Sequence, residues 1–194
     1  MTSEIPKNEM PLPPHLVKDL IPSHITNRAD LDQWEQDNIQ EALVWVEKHR
    51  RKDILHELFM RQLHKQMFCH VWRWAGKMRQ TDVDLGVPQA RISIELESLC
   101  LNVRNWIDTE AFEPDEIAAR FHHSLVFIRP FVNGNGRHAR LVTDILLENV
   151  LGRPNFSWGQ THLAPQGLDR KMYIESLVAA NQKRYQSLLE FVRS

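Results

Sequence analysis

The chain has 194 residues, enough for one domain with a sizeable core. With 24 basic against 25 acidic residues its formal net charge is −1, which argues against direct nucleic-acid binding or broad capture by a membrane surface. Cys69 and Cys100 lie in apolar helical patterns without CxxC or Cys/His zinc spacing, so they read as buried free thiols. No apolar run approaches the ~20 residues that span a bilayer. The first residues lack a basic start followed by an apolar stretch, so the expected location is cytoplasmic.

Taken in order, Pro6, Pro11, Pro13, Pro14 and Pro22 predict an extended arm over residues 1–25. Asn27 and Asp30 supply an N-cap and a first-turn acid for a helix reaching about Lys48, with Leu31, Trp34, Ile39, Leu43 and Val46 inward. A second helix is expected from about Asp53 to Cys69, where Ile54, Leu55, Leu58, Phe59, Leu63, Met67 and Phe68 recur at helical spacing. Then Thr81-Asp82-Val83-Asp84-Leu85 alternates polar and apolar residues before Gly86 and Pro88, which predicts a short strand or hairpin. A third helix covers residues 89–107, with Ile92, Leu96, Leu99 and Val103 inward. Pro114, Asp115 and Glu116 open a fourth, carrying Ile117, Ala118, Phe121, Leu125 and Val126. A fifth runs over about 137–150 and stops near Gly152 and Pro154. After a loop over 153–167, two helical patterns at 168–180 and 185–192 close the chain. The fold class is all-α: a helical bundle with one short β-hairpin.

Between the fourth and fifth helices stands Arg129-Pro130-Phe131-Val132-Asn133-Gly134-Asn135-Gly136-Arg137-His138-Ala139-Arg140. Glycine and asparagine tolerate positive φ, so successive N–H groups can converge into a nest. A helix N-terminus just beyond adds free donors and the positive end of its dipole. Arg137 and Arg140, three apart, project to similar sides of that helix. A polyphosphate is the natural guest.

This stretch resembles the signature of the Fic family, His-Pro-Phe-x-Asp/Glu-Gly-Asn-Gly-Arg-x-x-Arg, at Pro130, Phe131, Gly134, Asn135, Gly136, Arg137 and Arg140. The helix order and Trp74-Ala75-Gly76-x-x-Arg79 are similar to the Fic (Fido) fold over residues 52–193, after the arm of 1–25 and an N-terminal helix in 26–51. The arm, the first helix, Trp72-Arg73-Trp74-Ala75-Gly76 and Asn133-Gly134-Asn135-Gly136-Arg137-His138-Ala139-Arg140 look like a subgroup called mobile mystery protein B.

The resemblance implies a protein adenylyltransferase that moves AMP from ATP to a Ser, Thr or Tyr hydroxyl of a target protein, with Mg²⁺ as cation. It assigns Gly134, Asn135 and Gly136 to the α- and β-phosphates, Arg137 to steadying them and Arg140 to the γ-phosphate. Thr81, Asp82, Val83, Asp84 and Leu85 become a flap that docks the target by strand pairing. The subgroup implies a separate small helix-turn-helix partner. No full match exists to the inhibitory pattern Ser/Thr-x-x-x-Glu-Gly/Asn: Ser93 with Glu97 and Thr109 with Glu113 are followed by Ser98 and Pro114.

Two positions depart from the signature. Asn133 replaces the acid that holds Mg²⁺ and offers only a neutral amide oxygen. Arg129 replaces the catalytic histidine, and arginine has no acceptor and stays protonated. Loss of a positioned base typically slows transfer ~10²–10⁴-fold. The expectation is a transferase that is inactive or strongly impaired. The alternative is a nucleotide-binding regulatory module or toxin–antitoxin component. His122, His123 and His138 are the nearby histidines that could replace the base, and each is expected to be structural or exposed instead. Gly136 argues against a kinase-like variant, in which this glycine is lysine.

Overall fold

A computed structural model describes residues 12–13, 17–159 and 168–194. Its α-helices are α1 Arg28–Lys48, α2 Glu57–Phe68, α3 Ile92–Asp108, α4 Pro114–Ile128, α5 Asn135–Leu146, α6 Leu168–Asn181 and α7 Gln186–Arg193. The chain divides into two compact units, Met1–Arg50 with Leu58–Met78, and Arg51–Glu57 with Arg79–Ser194.

In the first unit, α1 starts where its cap predicts: the Asp30 N–H donates to Asn27 Oδ1 at 2.9 Å. Its buried face differs from expectation. Leu31, Glu35, Asn38 and Ala42 are buried, while Trp34 and Leu43 are exposed. Polar pairing decides the face. Trp72 Nε1 donates to Glu35 Oε1 at 2.7 Å, and Asn38 exchanges two 2.9 Å bonds with the Gln66 carbonyl and the His70 N–H. A buried carboxylate and amide are tolerable because they are paired.

Helix α2 starts at Glu57 rather than near Asp53, so Ile54 and Leu55 are buried ahead of it, and Leu58 is exposed. The described part of the arm is neither extended nor free. Leu20 forms an isolated bridge with Trp72, and the Ile21 N–H donates to the Val71 carbonyl at 2.8 Å. Leu12, Leu20 and Ile25 are buried there. Most of residues 1–16 lies outside the described residues.

In the second unit α3, α4 and α5 pack in succession, and α6 and α7 pack on each other and on α4. Ala118, Leu147, Phe156, Trp158 and Phe191 share the apolar centre. Helix α5 starts at Asn135, two residues before the expected Arg137, and passes into a wide turn at Leu147–Leu151 that Gly152 ends at φ +62°. Helices α6 and α7 lie within a residue of expectation, while residues 160–167 of the preceding loop lie outside the described residues.

The expected hairpin does not form. Residues 79–88 contain no strand. The reason is Arg79, whose side chain is buried within the segment. Its guanidinium donates to the Thr81 carbonyl at 2.9 Å and to the Val87 carbonyl, so carbonyls that a hairpin would pair across strands go to a side chain. Asp82 Oδ1 accepts the Gln89 N–H at 2.7 Å and closes the far end. Thr81, Asp82, Val83, Asp84 and Leu85 remain exposed.

Candidate active site

Helix α4 ends at Ile128, and Arg129 caps it in the left-handed region at φ +52°. Its N–H closes onto the Leu125 carbonyl at 3.2 Å. Pro130 follows, which keeps Arg129 out of the helical region and has no N–H to continue the helix. The turn is pinned from the other side as well. Arg79 Nε donates to the Arg129 carbonyl at 2.8 Å, and the Arg79 N–H donates to the Pro130 carbonyl at 3.0 Å.

Phe131 is fully buried, its ring edge-on to His138 at 5.0 Å. Asn135 spends its side chain on the loop: Oδ1 accepts the Phe131 N–H at 2.9 Å and Nδ2 donates to the Phe131 carbonyl at 2.8 Å. Gly134 then turns at φ +73°, which favours glycine, and α5 begins with no side-chain cap. First-turn N–H groups have no partner within a helix, so this end offers donors and a positive dipole. Gly136 faces open space: a Cβ built there meets nothing within 4 Å.

Arg129, Asn133, Gly134, Asn135, Gly136, Arg137 and Arg140 line one cleft of about 810 Å³, within the range of small-ligand sites. Trp158, Gly159, Asp169, Arg170 and Tyr173 complete much of its wall. Four arginines face one carboxylate among these lining residues, a field that favours an anion. Guanidinium groups suit phosphate because they present a planar, permanently charged fork. Residues 81–85 are not among the lining residues.

No histidine lines the cleft among the described residues. His122 is fully buried, with Nε2 2.8 Å from the Tyr173 hydroxyl, and burial pushes its pKa down to about 3. It is therefore neutral near pH 7. His123 pairs with Asn181 Oδ1 at 2.8 Å, and burial lowers its pKa too. His138 is fully buried against Phe131.

Arg140 lies against aromatic rings, its guanidinium carbon 4.8 Å from the Tyr173 centroid and 5.5 Å from that of Trp158. The Trp158 indole N–H is held by both Asp144 oxygens, at 3.1 and 3.0 Å. Burial pushes the Asp144 carboxyl up to about 6, against the pull of these bonds. Sequence patterning gave no part in the site to Arg79, Trp158, Asp169 or Tyr173. Only the Trp-Ala-Gly-x-x-Arg spacing marked Arg79, and nothing in the local sequence announces the others.

A nucleotide polyphosphate fits these residues: the uncapped helix end, the open space over Gly136 and the arginines all address phosphate. A Mg²⁺ ion fits less well. Asn133 Oδ1 accepts the Gly134 N–H at 2.7 Å, and no cluster of three or more His, Cys, Asp or Glu capable of holding a metal exists among the described residues. Magnesium prefers carboxylates alongside phosphates.

Residues 54–147 match the family model described as Fic/DOC family. The chain belongs to the Fic/DOC family. The protein adenylyltransferase Fic of Nematostella vectensis is 33% identical over 137 residues, covering 68% of this chain and 30% of that protein. The protein adenylyltransferase fic-1 of Caenorhabditis briggsae is 40% identical over 78 residues, covering 38% and 15%. The Fic chain thus spans less than a third of these relatives. Among solved structures, the N-terminal FIC domain of Bep8 from Bartonella sp. 1-1C superposes with a TM-score of 0.68 at 16% identity, over 88% of each chain. BepC from Bartonella tribocorum, with bound AMPPNP, gives 0.65 at 15% identity over 87% of each. At these identities the two structures establish the fold: an all-α Fic bundle.

Proposed function

We propose that this Fic chain is an adenylyltransferase scaffold that binds ATP and is strongly impaired in transferring AMP. The observation that carries the reading is a single cleft joining the α5 N-terminus, the open space at Gly136 and the side chains of Arg137 and Arg140. In the reaction, an oxygen of the target hydroxyl forms a bond to the α-phosphorus, the bond to the β-phosphate bridge breaks, and pyrophosphate leaves. The hydroxyl proton needs an acceptor at that moment. Arg129 lines this cleft, stands at the motif position of the family's histidine and can donate but not accept. Its charge assists phosphate binding, so the substitution separates binding from proton transfer.

Asn133 stands at the cation position, and Mg²⁺ there is expected to bind weakly. Thr81, Asp82, Val83, Asp84 and Leu85 are the proposed docking segment for a target chain. Its exposure supports that role, with no strand prepared in advance. A small helix-turn-helix partner and a cytoplasmic location belong to the same proposal, resting on the subgroup resemblance and on the absence of a helix long and apolar enough to cross a membrane among the described residues.

A second reading, a regulatory module that binds nucleotide without transferring it, is favoured by the complete set of arginines beside a missing base. Incubation of Arg129→His protein with α- or γ-labelled ATP in cell extract separates the two. Protein labelled from α-ATP alone supports the transferase. ATP binding without label supports the regulatory module, and γ-label would overturn both.

A further inference from the structure

We propose that Trp158 and Tyr173 form an aromatic bracket that positions Arg140 for the phosphate chain, making both rings positioning residues of the cleft. The inference rests on the nucleotide reading above and deepens it. Arginine side chains are long and lose entropy when ordered, so a preset guanidinium binds phosphate better than a free one. Here the guanidinium carbon of Arg140 sits 4.8 Å from one ring centroid and 5.5 Å from the other. Burial pushes the Tyr173 phenol up, and the Arg140 guanidinium hydrogen-bonded beside it works the other way.

Each ring is itself fixed. The Tyr173 hydroxyl is 2.8 Å from Nε2 of fully buried His122, and the Trp158 indole is clamped by Asp144 at 3.0 and 3.1 Å. The backbone at Trp158 is strained to match. Trp158 holds φ +54°, a conformation that a bulky residue rarely adopts. Its N–H donates to the Val192 carbonyl at 3.2 Å, and the next residue, Gly159, has φ +77° with space for no side chain, since a Cβ would meet Phe191 at 2.8 Å. The other strained residue of this cleft is Arg129 at φ +52°. Strain held by surrounding contacts is a mark of functional sites. The bracket gives that strain a purpose: it aims the indole at Arg140.

The test has two arms on the full chain, using Tyr173→Leu, which removes the ring, and Tyr173→Phe, which removes only the hydroxyl. Thermal unfolding confirms that both variants are folded. In the ligand-free arm, the Arg140 Nε–H NMR signal, identified by its loss in Arg140→Ala, is expected to be ring-current shifted in the native chain. It should move furthest toward the solvent-exposed position in Tyr173→Leu and by a smaller amount in Tyr173→Phe, which keeps the ring but loses the hydroxyl contacts with His122 and Arg140. In the binding arm, Tyr173→Leu should weaken ATP binding about tenfold in the native background and less than about twofold in Arg140→Ala, because coupled residues are not additive. A signal that is unshifted, or unmoved by Tyr173→Leu, would overturn the bracket. A full tenfold loss in the Arg140→Ala background would overturn positioning through Arg140. A shifted signal in a native chain that does not bind ATP would refute the nucleotide reading and the role given to the bracket, leaving only its geometry.

Discussion

Replacing Arg79 tests how the signature loop is held. Its side chain is buried, and the nearest acid, Asp82, is 3.9 Å away and exposed, so the charge is satisfied mainly by carbonyls. These are Thr81 at 2.9 Å, Arg129 at 2.8 Å, Ile128 at 3.5 Å, and Val87. Leaving a buried acceptor unsatisfied costs about 1–3 kcal/mol. Thr81 and Arg129 are exposed, so water can replace the lost donor there, whereas Val87 and Ile128 are buried. Arg79→Met should therefore lose about 2–6 kcal/mol, a large part of the ~5–15 kcal/mol of a typical domain. Arg79→Lys keeps the charge but not the fork and should lose about half as much. Urea unfolding of the three proteins measures this. A loss under about 1 kcal/mol for Arg79→Met, or native stability in Arg79→Lys, would show that the guanidinium does not hold these carbonyls.

Gly136→Ala should separate stability from binding: with φ in the ordinary range and no atom within 4 Å, the helix gains about 0.4–1 kcal/mol, while the methyl fills the cradle and weakens ATP binding about tenfold, both readable from thermal shift with and without ATP. His122 binds its proton at a pKa of about 3 when folded against 6.5 ordinarily, so its contribution is present above pH 6.5 and is lost as pH falls toward 3. Asp144, raised to about 6 by burial, has the opposite sign: its folded form gains relative stability as pH falls from about 6 toward 3.8. Compared with the native chain, His122→Gln should therefore gain roughly 3 kcal/mol on going from pH 7 to pH 4 in urea titrations, and an unchanged difference would refute a buried neutral imidazole. Asn133→Asp should tighten the Mg²⁺ midpoint for ATP binding, and an equal midpoint would show that the amide is as good a ligand.

The helices were legible in the sequence because apolar periodicity, the Asn27 cap and Pro114 all act locally. One wall of the cleft was legible for the same reason: Gly134, Asn135, Gly136, Arg137 and Arg140, close together in sequence, line it. What escaped depended on partners distant in the chain. The α1 face turned on Glu35 meeting Trp72 and on Asn38 meeting His70, so two polar residues took positions that patterning gives to Trp34 and Leu43. The hairpin gave way to Arg79, whose guanidinium reaches carbonyls about fifty residues along as easily as those nearby. Tyr173 and Trp158 join the site only because α6 and the loop after α5 return to α5 in space.

Phosphate binding is proposed to survive in this Fic chain while proton transfer does not. One measurement addresses both halves: native and Arg129→His proteins, titrated with ATP by calorimetry and then assayed at matched ATP occupancy for α-label transfer into extract protein. Affinities within about threefold of each other are expected, with transfer at least ~100-fold faster for Arg129→His. Equal transfer by the two proteins, or no ATP binding by the native chain, would contradict it.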